Sequence, residues 1–470
     1  MRAIFICLFL FANFLSLYAT TWTISPTGTY KSPTDVRSLA QNGDTILIDA
    51  ATYTDHPQVI FPQNNLVIKG INGQPRLEAG NTLASKSNGK AIFVLSGENC
   101  RVENIEFANA RVPDRNGAGI RQEGCNLLVT NCSFIGNEMG ILGGNYSPCK
   151  VVIEHCVFKN NGSSANPGFQ HNIYINHIDT LIFRYNRTTD AIAEGHELKS
   201  RAHFNLIAYN YIGNIESNDS RNIDLPNGGT SIVIGNVIEQ GSTSVNSNLL
   251  GYGLEGLTNN QPHNLYAVSN TFVNKKDKGS FIQVANSTDT LVVKNNVLAG
   301  AKTGGLILGS AKYLDSSTNY INGDVTATSF VDQAKFDYHL FSSSPCVDSG
   351  NPVSKSIGVY VLTPQFEYKD VATFNTRVVS GQLDIGAYEY ARPLSVDIAK
   401  RPNLRLYPSP FIGTYLYVNF STAKHYQLYN EVGEKVAEGL FQGGKTYIPQ
   451  LPSGLYFLRT DNGSSRLLRP

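Results

Sequence analysis

Apolar and polar residues alternate in short segments that recur through the middle of the chain. Residues 127–134 and 151–158 both read apolar-x-apolar-x-x-Cys-x-Phe, 24 positions apart. Alternation of this kind predicts a β-strand with one buried face. Its return at a similar spacing predicts a solenoid in which each repeat forms one turn. The pattern therefore predicts an all-β protein built on a single-stranded, right-handed parallel β-helix.

Asparagine replaces the cysteine of this pattern in later repeats. The asparagines that continue the series are Asn186, Asn210, Asn236, Asn270 and Asn296. We predict an internal column in which each side-chain amide bonds the amides above and below it. The two longest repeats contain insertions, one at 162–169 that is rich in Ser, Asn, Pro and Gly, and one at 257–263. Such insertions are predicted to form the walls of a binding groove.

Ionisable residues recur at a fixed period between residues 171 and 255. Tyr174, Lys199 and Asp224 are 25 residues apart. A second series keeps the same step three residues earlier: His171, His196 and Arg221. Like positions on successive turns of a solenoid stack ~4.8 Å apart. We therefore predict that tyrosine, lysine and aspartate form one column.

The column is predicted to face outward, because apolar residues flank its members and successive strand side chains point to opposite faces. The same alternation predicts outward positions for several further polar residues: Asn172, Glu197, Arg201, Glu255 and Gln283. Glu255 and Gln283 are predicted to extend the column by steps of 31 and 28 residues. The alternation predicts inward positions for His196 and Tyr252.

Residues 1–19 have the features of a secretory signal peptide. Arg2 supplies a positive charge, residues 4–17 are apolar, and Ala19 offers a cleavage site. The apolar run is too short for an ordinary membrane span. We therefore expect an exported protein with no membrane span.

The β-helix is predicted to occupy residues 20–392, followed by a linker at 393–400 and a separate module at 401–470. The formal net charge is +1 and 16% of residues are charged. No strong overall field attracts a highly charged partner, and we expect no nucleic-acid partner and a monomer.

Six cysteines follow the signal segment. Cys125 and Cys149 are 24 residues apart, as are Cys132 and Cys156. Stacked positions would bring each pair within reach of a disulfide. We favour buried free thiols, with disulfides as the alternative. A metal site is not predicted, because there is no close C-x-x-C pair.

Residues 43–46 and Tyr53 resemble the N-terminal segment of right-handed β-helix proteins of the pectin-lyase type. Residues 330–390 resemble the terminal segments of many secreted bacterial β-helix proteins, which implies that they close the solenoid. Asp348 and Asp384 are interpreted as turn and cap residues.

The last 70 residues carry a second resemblance. The segments L-R-L-Y-P-S-P-F at 404–411, 426–433 and 451–459 occur in the order found in the C-terminal sorting domain of the type IX secretion system, a small β-sandwich. The resemblance implies recognition by the type IX secretion machinery and export across the outer membrane of a Gram-negative bacterium. The protein would then be released or attached to the cell surface.

The predicted column suits β-elimination from an acidic, uronate-containing polysaccharide. This reaction needs a cation to hold the carboxylate and stabilise the enolate, a base for the C5 proton and an acid for the leaving oxygen. Lys199 and Arg201 are predicted to provide the cation and the base, with lysine the better base. Tyr174 would donate or relay a proton, and His196 is the alternative acid or base. Further predicted substrate contacts are His171, Asp224, Asn227, Tyr252, Glu255 and Gln283.

Two other functions are compatible with the sequence. A glycoside hydrolase could use Asp224 with Glu255, or with Glu194 or Glu197, at the ~5–9.5 Å separation such enzymes need. A cluster of basic residues argues against it, because hydrolysis of a neutral sugar does not need cations. The cluster consists of His171, His177, His196, His203, Arg184, Arg187, Lys199 and Arg201. A non-catalytic glycan-binding surface protein is the third hypothesis. No cofactor is required, although Ca²⁺ held by Asp224 and Glu255 is possible.

Overall fold

The computed structural model describes residues 19–54, 58–79, 89–301, 305–392, 404–448, 450–461 and 463–470. The predicted signal peptide, except for its last residue, and the predicted linker at 393–400 lie outside these ranges. The chain separates into two compact units, Met1–Ala391 and Arg392–Pro470. Among the described residues, no helix has the length and apolar character needed to cross a membrane.

The first unit is a parallel β-helix in which successive turns add one strand to each of three parallel sheets, as the sequence predicts. Sheet 1 contains Thr21–Ile24, Thr45–Asp49, Val67–Ile71, Arg101–Glu103, Leu127–Thr130, Lys150–Glu154, Thr180–Arg184, Phe204–Ala208, Thr230–Ile234, Asn264–Val268, Thr288–Lys294 and Ala311–Asp315. Sheet 2 contains Val59–Phe61, Ala91–Leu95, Ala118–Gln122, Met139–Gly143, Ile173–Ile175, Leu198–Ser200, Ile223–Leu225, Asn248–Tyr252, Ser280–Val284 and Ile307–Leu308. Sheet 3 contains Thr52–Tyr53, Arg76–Glu78, Glu106–Ala108, Ser133–Ile135, Val157–Lys159, Arg187–Thr189, Tyr211–Gly213, Val237–Gln240, Thr271–Asn274, Val297–Gly300 and Tyr320–Asn322.

Smaller elements complete the two units. The first unit also has a one-turn helix, Pro33–Val36, two 3₁₀ turns, Val325–Thr328 and Gln333–Lys335, and three antiparallel hairpins: Phe330–Asp332 with Asp337–Leu340, Ser356–Ile357 with Tyr360–Val361, and Phe366–Lys369 with Thr373–Thr376. The second unit has two antiparallel sheets: Leu406–Tyr407, Tyr415–Val418 and Lys445–Tyr447 in one, and Lys424–Tyr429, Lys435–Phe441, Gly454–Thr460 and Gly463–Arg469 in the other.

The interior of the β-helix is a column of apolar side chains from successive turns. The rings of Phe107, Phe134 and Phe158 stack with centroids 5.2 and 4.7 Å apart. Burial of such side chains stabilises by ~1.5–3 kcal/mol each. Since parallel strands pair in a fixed register, this inward packing also fixes which residues face outward.

The predicted asparagine column is confirmed. The side-chain Nδ2 of each asparagine donates to Oδ1 of the next across 2.9–3.1 Å from Asn186 to Asn296. Asn319 adds one further member to the column. The six cysteines of the described ranges are free thiols, so the interpretation as unpaired side chains agrees with the structure.

Residues 325–390, which we call the flank segment, do not simply close the end of the solenoid as predicted. They lie along the outer faces of sheets 1 and 3. Leu362 packs over outward apolar side chains of sheet 1 such as Ile182 and Leu206, and Tyr338 packs over Tyr211 and Val237 of sheet 3. The physical reason is that these strands are apolar on both faces and need a cover.

The interpretation of two aspartates in the flank segment as turn residues agrees with their contacts. Asp384 Oδ1 accepts the backbone N–H of Asp348, and its Oδ2 accepts that of Tyr390, each at 2.6 Å. Asp348 in turn accepts the N–H of Gln382 at 3.0 Å. The flank segment is thus held by side chain to backbone hydrogen bonds, while the outward face of sheet 2 carries polar residues.

Candidate functional site

The predicted column lies on the outward face of sheet 2. Tyr174, Lys199 and Asp224 occupy paired positions on three adjacent strands. The register continues through Gly251 to Gln283. The prediction of one column is confirmed for these three residues and for Gln283. Glu255 is not part of it, because Gly251 takes the position on that turn.

The second series also stacks, and backbone groups fix its orientation. The N–H of His196 donates to Nδ1 of His171 at 3.0 Å, and the N–H of Arg221 donates to Nδ1 of His196 at 3.1 Å. The two imidazole rings stack with centroids 4.9 Å apart. Because Nδ1 accepts in both rings, the ring proton of the neutral form belongs to Nε2.

The structure corrects the inward position predicted for His196. Its Nε2 lies 3.6 Å from Oδ2 of Asp224, beside the outward column. His196 precedes the strand Leu198–Ser200, so strand alternation does not apply to it. Burial, helped by the charges of Lys199 and Arg221, lowers the pKa of His196 to about 3. Burial likewise holds the pKa of His171 well below its ordinary value, and both rings are neutral at pH 7.

Lys199, in the strand Leu198–Ser200, and Arg201, directly after it, share one carboxylate. Lys199 Nζ lies 2.6 Å from Oε1 of Glu255 and 3.3 Å from Oδ2 of Asp224. Arg201 donates from Nη2 to the other oxygen of Glu255. It also donates from Nε to the hydroxyl of Tyr174 at 2.9 Å and from Nη1 to Asn227 at 2.5 Å. Arg201 therefore links tyrosine, asparagine and glutamate around one guanidinium.

Glu255 reaches the column from a turn rather than from a strand. It lies between Gly253 and Gly256, both at positive φ, and its N–H donates to the carbonyl of Pro226 at 3.0 Å. Its side chain is 45% exposed. Partial burial raises the pKa of Glu255, but hydrogen bonds from Lys199 and Arg201 outweigh this and lower that pKa to about 2. Glu255 is therefore ionised over the whole working pH range.

One predicted substrate contact, Tyr252, and two residues predicted to face outward, Asn172 and Glu197, are buried. Tyr252 is fully buried in the core and its hydroxyl donates to the carbonyl of Gly229 at 2.6 Å, so its assignment as a substrate contact is wrong. Asn172 and Glu197 are also fully buried, and Asn172 Nδ2 donates to Glu197 Oε2 at 2.5 Å. Both lie where the chain turns between sheets 3 and 2, and the turn rotates their side chains inward.

These two residues end a second polar ladder that the sequence reasoning missed. Asn137 donates to Asn161 at 3.0 Å, and Asn161 donates to Asn172 at 2.7 Å. Burial raises the pKa of Glu197 well above its ordinary range, and the nearby Asp219 adds to the rise. The 25-residue step from Asn172 to Glu197 was the available signal. This ladder supports the column from behind and removes Glu197 from the candidate carboxylates of a hydrolase.

Asp219 lies in the same buried corner and predicts a pH effect on stability. Its Oδ1 accepts from Asn214 and Ser244, while Oδ2 has no hydrogen-bond partner within the described ranges. Burial raises its pKa from 3.8 to about 7. A raised folded-state pKa means that stability is fully present below about pH 4 and is lost as pH rises through about 7.

Asp219→Asn is therefore expected to stabilise the protein at pH 8 by about 1–3 kcal/mol, because the amide cannot ionise. The gain should shrink toward pH 4. Denaturant unfolding at the two pH values measures it, with the exposed Asp277→Asn as the control. A gain of equal size at both pH values would contradict the assignment to ionisation.

Two further predicted substrate contacts, Asn227 and Gln283, differ in their exposure to solvent. Asn227 is buried, accepts from Arg201 and donates to Thr258 at 2.8 Å, so it supports the guanidinium. Gln283 is partly exposed on the outward face. The Lys199 ammonium lies between Asp224 and Glu255, the two residues considered for Ca²⁺, and contacts both. Within the described residues, no group of three or more His, Cys, Asp or Glu side chains is arranged to hold a metal ion.

Comparison with known proteins identifies the fold. No protein-family model and no curated protein matches the chain. Among solved structures, pectate lyase Pel9A is similar over 79% of this chain and 96% of that chain, with a TM-score of 0.52 and 13% sequence identity. The site therefore lies on a parallel β-helix similar to that of a pectate lyase.

Other structures match less well. A mannuronic acid specific polysaccharide family 6 lyase from human gut microbiota covers 63% of this chain and 87% of its own length, with a TM-score of 0.33 and 11% identity. Pectin methylesterase PemA from Erwinia chrysanthemi covers 62% and 80%, with a TM-score of 0.30 and 14% identity.

Proposed function

We propose that this protein is a polysaccharide lyase that cleaves an acidic, uronate-containing polysaccharide by β-elimination. The observation that carries the proposal is the carboxylate of Glu255, held between Lys199 and Arg201. A uronate carboxylate has the same charge and the same two oxygens. Lys199 and Arg201, which we call the carboxylate seat, bind the carboxylate of Glu255 and are therefore chemically suited to bind that of a uronate.

In the proposed reaction the substrate carboxylate displaces Glu255 from this seat. Arg201 holds the carboxylate, because its planar fork matches the two oxygens and it cannot lose its proton. Its positive charge stabilises the enolate that forms as the C5 proton leaves.

Proton transfers then complete the elimination. The Lys199 amine takes the C5 proton, the C4–C5 double bond forms and the C4–O bond breaks. Tyr174 gives its phenolic proton to the leaving oxygen. Its oxygen already accepts from Arg201, and no acceptor for its own proton is found within the described residues. The proton on Lys199 returns to the tyrosine through solvent, which restores both groups.

A glycoside hydrolase is the second candidate, since oxygens of Asp224 and Glu255 lie within about 6 Å of each other through Lys199. Two properties disfavour it. The side chain of Asp224 is 2% exposed, which keeps a sugar from reaching it. With its pKa near 2, Glu255 has no proton to give a leaving group.

A direct test incubates the protein with a panel of uronate polysaccharides and follows the ultraviolet absorbance of an unsaturated uronate. A rise supports elimination. New reducing ends without absorbance would instead support hydrolysis. Binding on a glycan array without either product would support a non-catalytic role.

Glu255→Gln is expected to bind acidic oligosaccharides about five- to tenfold more tightly than the unchanged protein. The amide fills the turn but no longer competes as an anion for Lys199 and Arg201. Titration calorimetry with a uronate oligosaccharide measures the change, with the exposed Glu98→Gln as the control. Unchanged or weaker binding in Glu255→Gln would show that Glu255 does not occupy the carboxylate seat.

We further propose that the protein is exported, with residues 1–19 as the signal and residues 401–470 as the sorting module. The compact second unit of two small antiparallel sheets supports this. Export places the enzyme where polysaccharides occur.

A further inference from the structure

A groove of about 430 Å³ lies on the outward face of sheet 2, beyond Asp224 toward the later turns. Residues of the next turns line it, among them Arg221, Asn246, Ser247, Asn248, Gln283 and Leu308. It adjoins the column, because Arg221 Nη1 lies 3.2 Å from Asp224. Ion pairs from Arg221 to Asp224 and from Asp224 to Lys199 therefore connect the groove with the column.

Hydrogen bonds along the groove leave donors facing the open space. Arg221 Nε donates to Asn248 Oδ1 at 2.6 Å, and Asn248 Nδ2 donates to Gln283 Oε1. Each amide oxygen is thus used by its neighbour. Arg221 Nη2 and Gln283 Nε2 have no partner within the described ranges. These free donors, one of them cationic, favour a ligand rich in acceptors and negatively charged.

Gly251 makes this arrangement possible. It holds the column position between Asp224 and Gln283. A Cβ there would lie 2.9 Å from both Cδ and Nε of Arg221. A side chain at this position would displace Arg221 from its hydrogen bond to Asn248. The glycine therefore leaves room for Arg221 at the groove.

We propose that the groove binds a second acidic sugar of the same polysaccharide chain whose first carboxylate occupies the seat at Lys199 and Arg201. The proposal rests on the proposed function. Gln283 is three turns from Lys199, ~14 Å at ~4.8 Å per turn. The polysaccharide then lies along the axis of the β-helix. The second acidic group selects chains that are acidic at more than one unit.

The test compares binding of a uronate disaccharide and a uronate hexasaccharide by titration calorimetry. A Tyr174→Phe background stops turnover and keeps the contacts of Arg201 with Asn227 and Glu255, and both ligands are compared in it. We expect the hexasaccharide to bind about tenfold or more tightly than the disaccharide. Arg221→Gln and, separately, Gln283→Leu should remove most of this advantage, and Gln283→Leu should leave the disaccharide unchanged.

Arg184→Gln, on sheet 1, is the matched control for loss of one positive charge. An advantage that persists in both groove variants would overturn the proposal, as would equal weakening of both ligands by Gln283→Leu. Gln283→Leu removes no contact of Asp224, so this variant can still test the proposal if Arg221→Gln does not fold. In one outcome the hexasaccharide binds more tightly only when the groove is intact, while the unchanged protein forms no unsaturated product. This result would support binding in the groove and contradict the proposed β-elimination.

Discussion

Lys199→Ala is expected to lower the rate of elimination by at least about 10³-fold. Loss of a general base costs 10²–10⁴-fold, and loss of a cation beside the developing enolate adds to this. The rise in ultraviolet absorbance on the best uronate polysaccharide measures the effect. Thermal unfolding should show that the variant is still folded, because Asp224 keeps its contact with Arg221.

Two companion variants separate the roles of Lys199. Lys199→Arg keeps the positive charge but cannot act as a base, so we expect it to bind substrate and remain inactive. Lys312→Ala removes an exposed lysine paired with Asp289 and should retain full activity. Activity in Lys199→Arg close to that of the unchanged protein would assign lysine an electrostatic role only and move the base to Tyr174.

Asn210→Ala is expected to destabilise the first unit by about 3–5 kcal/mol. Its Nδ2 donates to the carbonyl of Phe183 and to Asn236 Oδ1 at 3.0 and 2.9 Å. Its Oδ1 accepts from the backbone and side chain of Asn186 at 2.8 and 3.1 Å. The alanine leaves these groups unpaired in a fully buried column, and each unpaired group costs about 1–3 kcal/mol unless water enters.

Chemical denaturation followed by circular dichroism measures this loss. Asn375→Ala changes an exposed asparagine in the hairpin Phe366–Lys369 with Thr373–Thr376 and should have little effect. An Asn210→Ala midpoint equal to that of Asn375→Ala would show that the column does not contribute to stability as its hydrogen bonds indicate.

The sequence predicts the fold and the column because both follow from a repeat. A step of 25 residues between Tyr174, Lys199 and Asp224 translates directly into strand register, since inward packing fixes each turn. The same logic fails at corners. His196 and Glu197 precede a three-residue strand, and there the chain direction, not alternation, decides where a side chain points.

Contacts between turns that are not adjacent could not be predicted from the repeat spacing. Glu255 returns from its turn to Lys199 and Arg201, two strands away along sheet 2, and no repeat encodes that path. The position of the flank segment could have been predicted from apolar residues on the outward face of sheet 1. Ile182 and Leu206 are apolar at outward positions of sheet 1, so these strands read as apolar on both faces. That pattern requires a covering layer.

The flank segment also alters how the solenoid comes apart. A stack whose turns touch only their neighbours can fray from one end, one repeat at a time. Here His155 bonds the carbonyl of Ala372 at 2.9 Å, and Asn295 bonds that of Asn351 at 2.7 Å, so one strap joins early and late turns. We therefore expect the turns between them to open together rather than one repeat at a time.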